Sequence, residues 1–307
     1  MRRFRPGISV LASSLLSLAA AVGLFAQPSS TPWSGALAAR AQTPAPGRIV
    51  ALGGVVTEIL YAVGAQDRIV GLDTTSLYPP GAMKDKPNVG YVRALSAEGV
   101  LSLNPSLVIA IDGAGPPDAM KLIEESGINV VHVPEEFTAD GIADRIRKVA
   151  ALGGAPARGE TIAAETAAKF RALETARSRI KTPKRILFAL SLQNGRVMAG
   201  GGNTSADAII KLAGAVNAVQ GFDGYKPMTD ESVIAAAPDF ILVMNRGDHA
   251  ASADQVFAMP AFAPTPAARG RSFASMDGLY LLGFGPRTPD AAGDLMRAVY
   301  GADVAKP

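Results

Sequence analysis

From Arg48 onward the chain alternates short apolar runs with stretches whose apolar residues recur every three to four positions. Arg48-Ile49-Val50-Ala51-Leu52 reads as a short strand; after Gly53-Gly54 comes a helical pattern over 57–63 that Gly64 closes. Residues 68–71 predict a second strand, followed by a turn-rich stretch containing Tyr78-Pro79-Pro80. A helix opening at Ser96, a buried strand over 106–111, a helix over 117–126 and a strand over 130–133 continue the series. Strands alternating with helices imply βαβ units around a mostly parallel sheet, so the fold class is α/β.

Between residues 156 and 181 the texture changes to Ala, Glu, Lys and Arg, with no glycine after Gly159 and no proline until Pro183. This predicts one helix of roughly 22 residues, about 33 Å long. Its apolar positions Ala163, Ala167, Phe170, Leu173, Ala176 and Ile180 mark one buried face. The alternation then restarts at Arg185-Ile186-Leu187-Phe188, and the second half echoes the first. Ser96-Ala97-Glu98 leads to Pro105 and a strand, as Thr229-Asp230-Glu231 leads to Pro238 and a strand, with the glutamate seven residues before the proline in both. Likewise Thr57-Glu58-Ile59-Leu60 ending at Gly64-Ala65 resembles Ala206-Asp207-Ala208-Ile209 ending at Gly214-Ala215. The expected architecture is two similar α/β lobes, 42–155 and 183–307, joined by a long helix in 156–182.

The amino end differs from all of this. A basic segment with Arg2, Arg3 and Arg5, an apolar run over 8–25 and the small-residue sites Ala36-Leu37-Ala38 and Ala39-Arg40-Ala41 make a secretory signal peptide. Cleavage is expected near residues 38–41, by general secretion; the competing reading is an uncleaved anchor, because the run approaches the length of a marginal span. The product is expected in the periplasm. The formal net charge of +3 then misleads, because residues 1–41 carry four arginines and no acid; the remainder holds 26 basic and 27 acidic residues, with no electrostatic case for nucleic acid.

Composition removes further classes. With no cysteine there is no disulfide scaffold, thiol nucleophile, zinc ribbon or lipidated cysteine, and two histidines make an all-histidine metal site improbable. No nucleophile elbow and no zincin motif occur. The glycine run at Gly200-Gly201-Gly202 precedes a helix but lacks the lysine of a phosphate-binding loop, so a turn is expected there. His132 lies inside a predicted strand and is expected to be a core histidine. His249 follows a strand, where open α/β sheets bind ligands, and is a candidate site residue.

Tyr78 stands out in Thr74-Thr75-Ser76-Leu77-Tyr78-Pro79-Pro80, a loop directly after a strand whose prolines restrict the backbone. Two readings stand at this point: a tyrosine packed over a surface turn, or a phenolate that binds ferric iron as in tyrosine-ligated haems. A phenolate ligand needs a cation beside it, since phenols ordinarily ionise near pH ~10. Arg246, in the corresponding strand-end loop of the second lobe, is the candidate.

Across residues 48–300 the chain resembles the periplasmic haem-binding proteins of bacterial haem ABC importers, the HmuT type. The resemblance rests on Arg48-Ile49-Val50, Gly53-Gly54, Thr57-Glu58-Ile59, the Thr74–Pro80 loop with Gly71-Leu72-Asp73 before it, Gly90-Tyr91-Val92-Arg93-Ala94-Leu95-Ser96-Ala97-Glu98-Gly99, and Leu282-Gly283-Phe284-Gly285-Pro286-Arg287. It implies two Rossmann-like lobes with the ligand in the cleft between them, and a carrier of ferric haem b rather than an enzyme. It maps the iron-ligating tyrosine onto Tyr78 and a phenolate-supporting arginine onto Arg246; the haem propionates are expected near solvent or cationic groups such as Arg93. Some members add a histidine where this chain reads Ser191-Leu192-Gln193-Asn194-Gly195, so five-coordinate iron is expected, with His249 the one substitute. The resemblance further implies a monomer that docks on an inner-membrane ABC permease dimer through one glutamate per lobe. Glu98 and Glu231 are the matched candidates. The nearest alternative is a cobalamin or iron–siderophore carrier of the same class; an exported carboxylate enzyme is the alternative of a different class.

Overall fold

The computed structural model describes residues 47–192, 195–245 and 251–304. The signal-peptide segment, Arg246 and His249 lie outside them. The first half runs β1 (Ile49–Leu52), α1 (Gly54–Ala62), β2 (Ile69–Leu72), α2 (Ala82–Asp85), β3 (Gly90–Tyr91), β4 (Ala94–Leu95), α3 (Ala97–Leu101), β5 (Leu107–Ile111), α4 (Pro117–Glu125), β6 (Asn129–Val133) and α5 (Ala139–Leu152). The long helix is α6 (Pro156–Arg177). The second half runs β7 (Arg185–Ser191), β8 (Val197–Gly200), α7 (Ser205–Leu212), β9 (Val216–Asn217), β10 (Tyr225–Met228), α8 (Asp230–Ala236) and β11 (Phe240–Asn245). It ends with α9 (Ala253–Phe257), α10 (Pro266–Gly270), β12 (Phe273–Asp277), α11 (Gly278–Leu282) and α12 (Thr288–Tyr300).

The first sheet is wholly parallel, in the order β2-β1-β5-β6. Its central strands β1 and β5 are buried along their whole length, which is why both read as unbroken apolar runs. The second sheet, β10-β8-β7-β11-β12 with β9 beside β7, is mixed: β8 runs antiparallel to both its neighbours, β7 and β10. That departs from the parallel expectation. The cause is local, because β8 returns directly from β7 without a crossover helix. The result is two α/β lobes joined by α6, which packs on α5, α7 and α12 and buries Ile162, Ala163, Phe170, Leu173 and Ala176. Along β7 the side chains alternate between two cores. Ile186 and Phe188 join the larger one, which continues through α6 into the first lobe, while Leu187 and Ala189 join a smaller one around Phe262.

The internal repeat extends to the backbone. Ser96 and Thr229 cap α3 and α8, their hydroxyls accepting from Gly99 and Ser232 N–H. Asn104 and Ala237 then take the same left-handed conformation, at φ 45° and 41°, before buried Pro105 and Pro238 lead into β5 and β11. His132 corrects its expectation. It sits on edge strand β6 with its side chain 47% exposed, and pairs with Glu124 at 3.0 Å rather than entering the core. The glycine run is a close-approach turn: Gly201 and Gly202 N–H donate to Gly224 and Phe222 carbonyls, and a Cβ on Gly201 would stand 2.3 Å from Phe222 O.

Candidate ligand site at the carboxyl edge of the first sheet

The loop carrying Tyr78 is built on a buried carboxylate. Asp73, directly after β2, is fully buried; its Oδ1 accepts from Gly53 N–H at 2.7 Å and its Oδ2 from the N–H and hydroxyl of Thr75 at 2.8 and 2.6 Å. Thr75 Oγ1 in turn accepts from Gly54 N–H at 2.9 Å. Ser76 Oγ reaches Asp73 Oδ1 at 3.3 Å and Thr57 Oγ1 at 2.7 Å, so the Thr57 hydroxyl donates to Ser76 when Ser76 donates to Asp73. A Cβ on Gly54 would stand 2.2 Å from Thr75 O, so only glycine lets α1 start this close to the loop. These contacts leave Leu77 and Tyr78 outside, 52% and 38% exposed. Thr74 N–H also donates to Gly90 O at 2.9 Å, tying the loop to the β3–β4 hairpin. That hairpin carries exposed Tyr91 and, in its turn, exposed Arg93.

Among the described residues one cation meets the Tyr78 ring. The guanidinium carbon of Arg287 lies 3.6 Å from its centroid, a stacking worth about 0.5–2 kcal/mol. Arg287 also lies over the Tyr280 ring, 5.2 Å from its centroid. Arg287 is held from behind by Glu58 of α1: Nε donates to Oε1 at 3.0 Å and a terminal nitrogen to Oε2 at 2.7 Å. Glu58 is buried and Arg287 partly so. Burial alone would lower the Arg287 pKa; the hydrogen bonds and charge of Glu58, helped by Tyr78, outweigh it and raise the value above the ordinary one. Removing one partner from such a pair typically costs about 3–5 kcal/mol. The two tyrosines differ in what their hydroxyls do. Tyr280 donates to Asp294 at 2.7 Å and, through desolvation and then that bond, is pushed well above the usual phenol range. Among the described residues nothing hydrogen-bonds the hydroxyl of Tyr78.

Arg287 belongs to a strap, Gly283 to Arg287, that comes from the second half of the chain and lies on the first lobe. Buried Arg145 of α5 donates to Phe284 O at 2.6 Å, and also to the carbonyls of Pro134 and Glu136. Desolvation lowers the Arg145 pKa, against the opposing charges of Glu135, Glu136 and Asp112. Phe284 is left-handed at φ 50°, a strain of about 1–2 kcal/mol, and its buried ring packs on Phe137 with centroids 4.7 Å apart.

The sequence singled out Tyr78 but not its stacking on Arg287. Arg287 and Glu58 were both visible in the segments that carried the family resemblance, yet no local spacing joins positions 229 residues apart. Arg93 is on the same strand-end surface, where its charge acts on Glu135 at the end of β6. Glu98 and Glu231 are exposed and occupy the second position of their helices; the Glu231 backbone N–H and the Thr229 hydroxyl hold its carboxyl below the ordinary value. Among the described residues no cluster of His, Asp or Glu could hold a metal ion, and no helix is long and apolar enough to cross a membrane. An open groove of about 760 Å³ in the second lobe, lined by Asp207, Lys211, Asn217 and Lys226, contains none of the predicted site residues.

Residues 49–278 match the family model described as periplasmic binding protein, and the chain belongs to that family. The match makes it a solute-binding protein, not an enzyme, with a place of work outside the cytoplasm. Two solved structures are similar over 85% of this chain and 99% of theirs, each with a TM-score of 0.78. One is the periplasmic haem-binding protein RhuT from Roseiflexus sp. RS-1 in apo form, 41% identical; the other is the periplasmic haem-binding protein BhuT in complex with two haems, 38% identical. A vitamin B12-binding protein of Vibrio campbellii is 28% identical over 69% of this chain and 74% of its own length. An ABC transporter substrate-binding lipoprotein of Bacillus subtilis, YvrC, is 28% identical over 64% of this chain, which spans only 63% of the length of that relative. These likenesses place the chain among the two-lobed class III solute-binding proteins.

Proposed function

We propose that the protein captures ferric haem b in the periplasm and delivers it to an ABC permease for haem and iron uptake, with Tyr78 as the iron ligand. The observation that carries this reading is the state of the phenol. It is partly exposed at the ligand edge of an open α/β sheet, has a hydroxyl free of hydrogen bonds among the described residues, and is faced by a guanidinium. Tyrosine oxygen is a ligand for ferric iron. Arg287 is the described cation that faces Tyr78; Arg246, the residue first expected there, lies outside the described residues. Leu77 and Tyr91 offer apolar surface to the macrocycle, and Arg93 offers charge to its propionates. The named ligands of RhuT and BhuT support haem, while the vitamin B12-binding relative keeps cobalamin as the second reading.

In this proposal the exported chain, freed of its signal peptide near residues 38–41, acts as a monomer with lobes 42–155 and 183–307 around the segment 156–182. Glu98 and Glu231 dock the permease dimer; what supports them is their exposure and their identical setting, each between a hydroxyl cap and a left-handed residue before proline. The test is a titration of ferric haem into the mature protein and into Tyr78→Phe. Saturable binding with a tyrosinate charge-transfer band that vanishes in the variant is expected. Saturation by two haems per chain would overturn the single five-coordinate site, and no binding, with cobalamin bound instead, would overturn the haem assignment.

A further inference from the structure

We infer that Glu58 is a positioning residue for the ligand site: it touches no ligand, but aims the Arg287 guanidinium at the face of Tyr78. The inference rests in part on the reading of Tyr78 as the ligand-binding phenol. Glu58 is 5% exposed on α1, and both of its oxygens are taken by Arg287. A long arginine on a loop has many rotamers, and a two-point grip by a carboxylate selects one of them. The strap supplies the second restraint, since Arg145 fixes the Phe284 carbonyl and Phe137 receives its ring. The backbone at Phe284 thus sets where Arg287 starts, and Glu58 sets where its guanidinium ends. Glu58 and the Tyr78 loop are themselves one rigid piece, because Thr57, the residue before Glu58, is bonded to Ser76. The distance from Glu58 to the Tyr78 ring is therefore fixed within the first lobe, and the guanidinium fills the gap between them.

The competing interpretation is an ion pair that only stabilises the fold. The two are separated by reporters on Tyr78 itself, in Glu58→Gln, which preserves side-chain volume and removes the charge. In the ligand-free full mature chain labelled with fluorotyrosine, the Tyr78 resonance is assigned by its loss in Tyr78→Phe. That resonance is expected to move in Glu58→Gln toward its position in Arg287→Gln, because both variants unstack the guanidinium. With ferric haem bound, transfer to apomyoglobin is expected to accelerate roughly tenfold in Glu58→Gln, the size of effect that follows losing one charge-assisted contact. A lowered melting temperature with an unmoved Tyr78 resonance and unchanged release would overturn the inference. Should Glu58→Gln not fold, Arg287→Lys keeps the charge and loses the two-point grip; an unmoved Tyr78 resonance there would overturn it equally. If the wild type takes up no haem, the ligand reading fails while the fluorotyrosine experiment still decides the role of Glu58.

Discussion

Helices α1 and α7 hold matching places in the two halves, and each buries one acid, Glu58 and Asp207, at 5% and 7% exposure. Asp207 is satisfied by its neighbourhood: Lys211, one turn along the same helix, donates at 2.6 Å, and Asn217 Nδ2 donates at 3.3 Å. Glu58 has no basic neighbour on its own helix and pairs instead with Arg287, 229 residues away. The same buried-acid position thus closes a local structure in one lobe and joins distant parts of the chain in the other. Only the second arrangement places a cation on a partly exposed phenol.

Three further substitutions sharpen that contrast, beyond the Tyr78 and Glu58 variants above. Phe284→Ala removes a fully buried ring and the packing that supports a left-handed backbone, and is expected to lower unfolding free energy by about 3–5 kcal/mol. Urea denaturation measures the loss, and the Tyr78 fluorotyrosine resonance should move as well, because the strap then no longer delivers Arg287. An unmoved resonance would mean that Glu58 alone holds the cation. Asp207→Asn is expected to cost about 1 kcal/mol, since Lys211 is largely solvated and an amide still meets Asn217, and to leave haem release unchanged. Accelerated release in that variant would break the contrast between the two acids.

The smallest effect is expected at Glu135, an acid on the same strand edge whose carboxyl no group hydrogen-bonds among the described residues. Desolvation raises its pKa, more than Arg93 and Arg145 lower it through charge. The folded protein then holds the Glu135 proton more tightly than the unfolded chain does, so stability falls as pH rises through the interval above the ordinary glutamate value of about 4.3. Glu135→Gln should accordingly unfold at slightly higher urea than the wild type at neutral pH. The advantage should disappear when the comparison is repeated below that interval.

How much of this was legible in the sequence depended on the range of the interaction that encodes it. Strands β1, β5 and β7, the helix α6 and the caps Ser96 and Thr229 are specified within a few residues, and all lie where periodicity and spacing put them. The loop that carries Tyr78 was legible for the same reason, being marked by the threonines before that residue and the prolines after it. The antiparallel return of β8 was not, because an apolar run of four residues carries no sign of its direction. The exposure of His132 depends on β6 lying at a sheet edge, which is a fact of topology rather than of local pattern. Arg246, chosen by analogy between strand-end loops, lies outside the described residues, and the stacking of Arg287 on Tyr78 comes from a strap after β12 that this analogy did not reach.

The late position of Arg287 in the chain also bears on how the protein is made. A polypeptide crossing a membrane amino end first presents β1, α1 and the Tyr78 loop long before residues 283–300 arrive. Until then Glu58 is a carboxylate without its partner and Tyr78 a phenol without its cation. Under the proposed function, the Glu58–Arg287–Tyr78 arrangement requires the segment leading into α12, which packs against α6 and α7. A chain truncated before Arg287 would keep the whole first sheet and the iron-ligand candidate, yet lack the group that makes that candidate different from any other surface tyrosine.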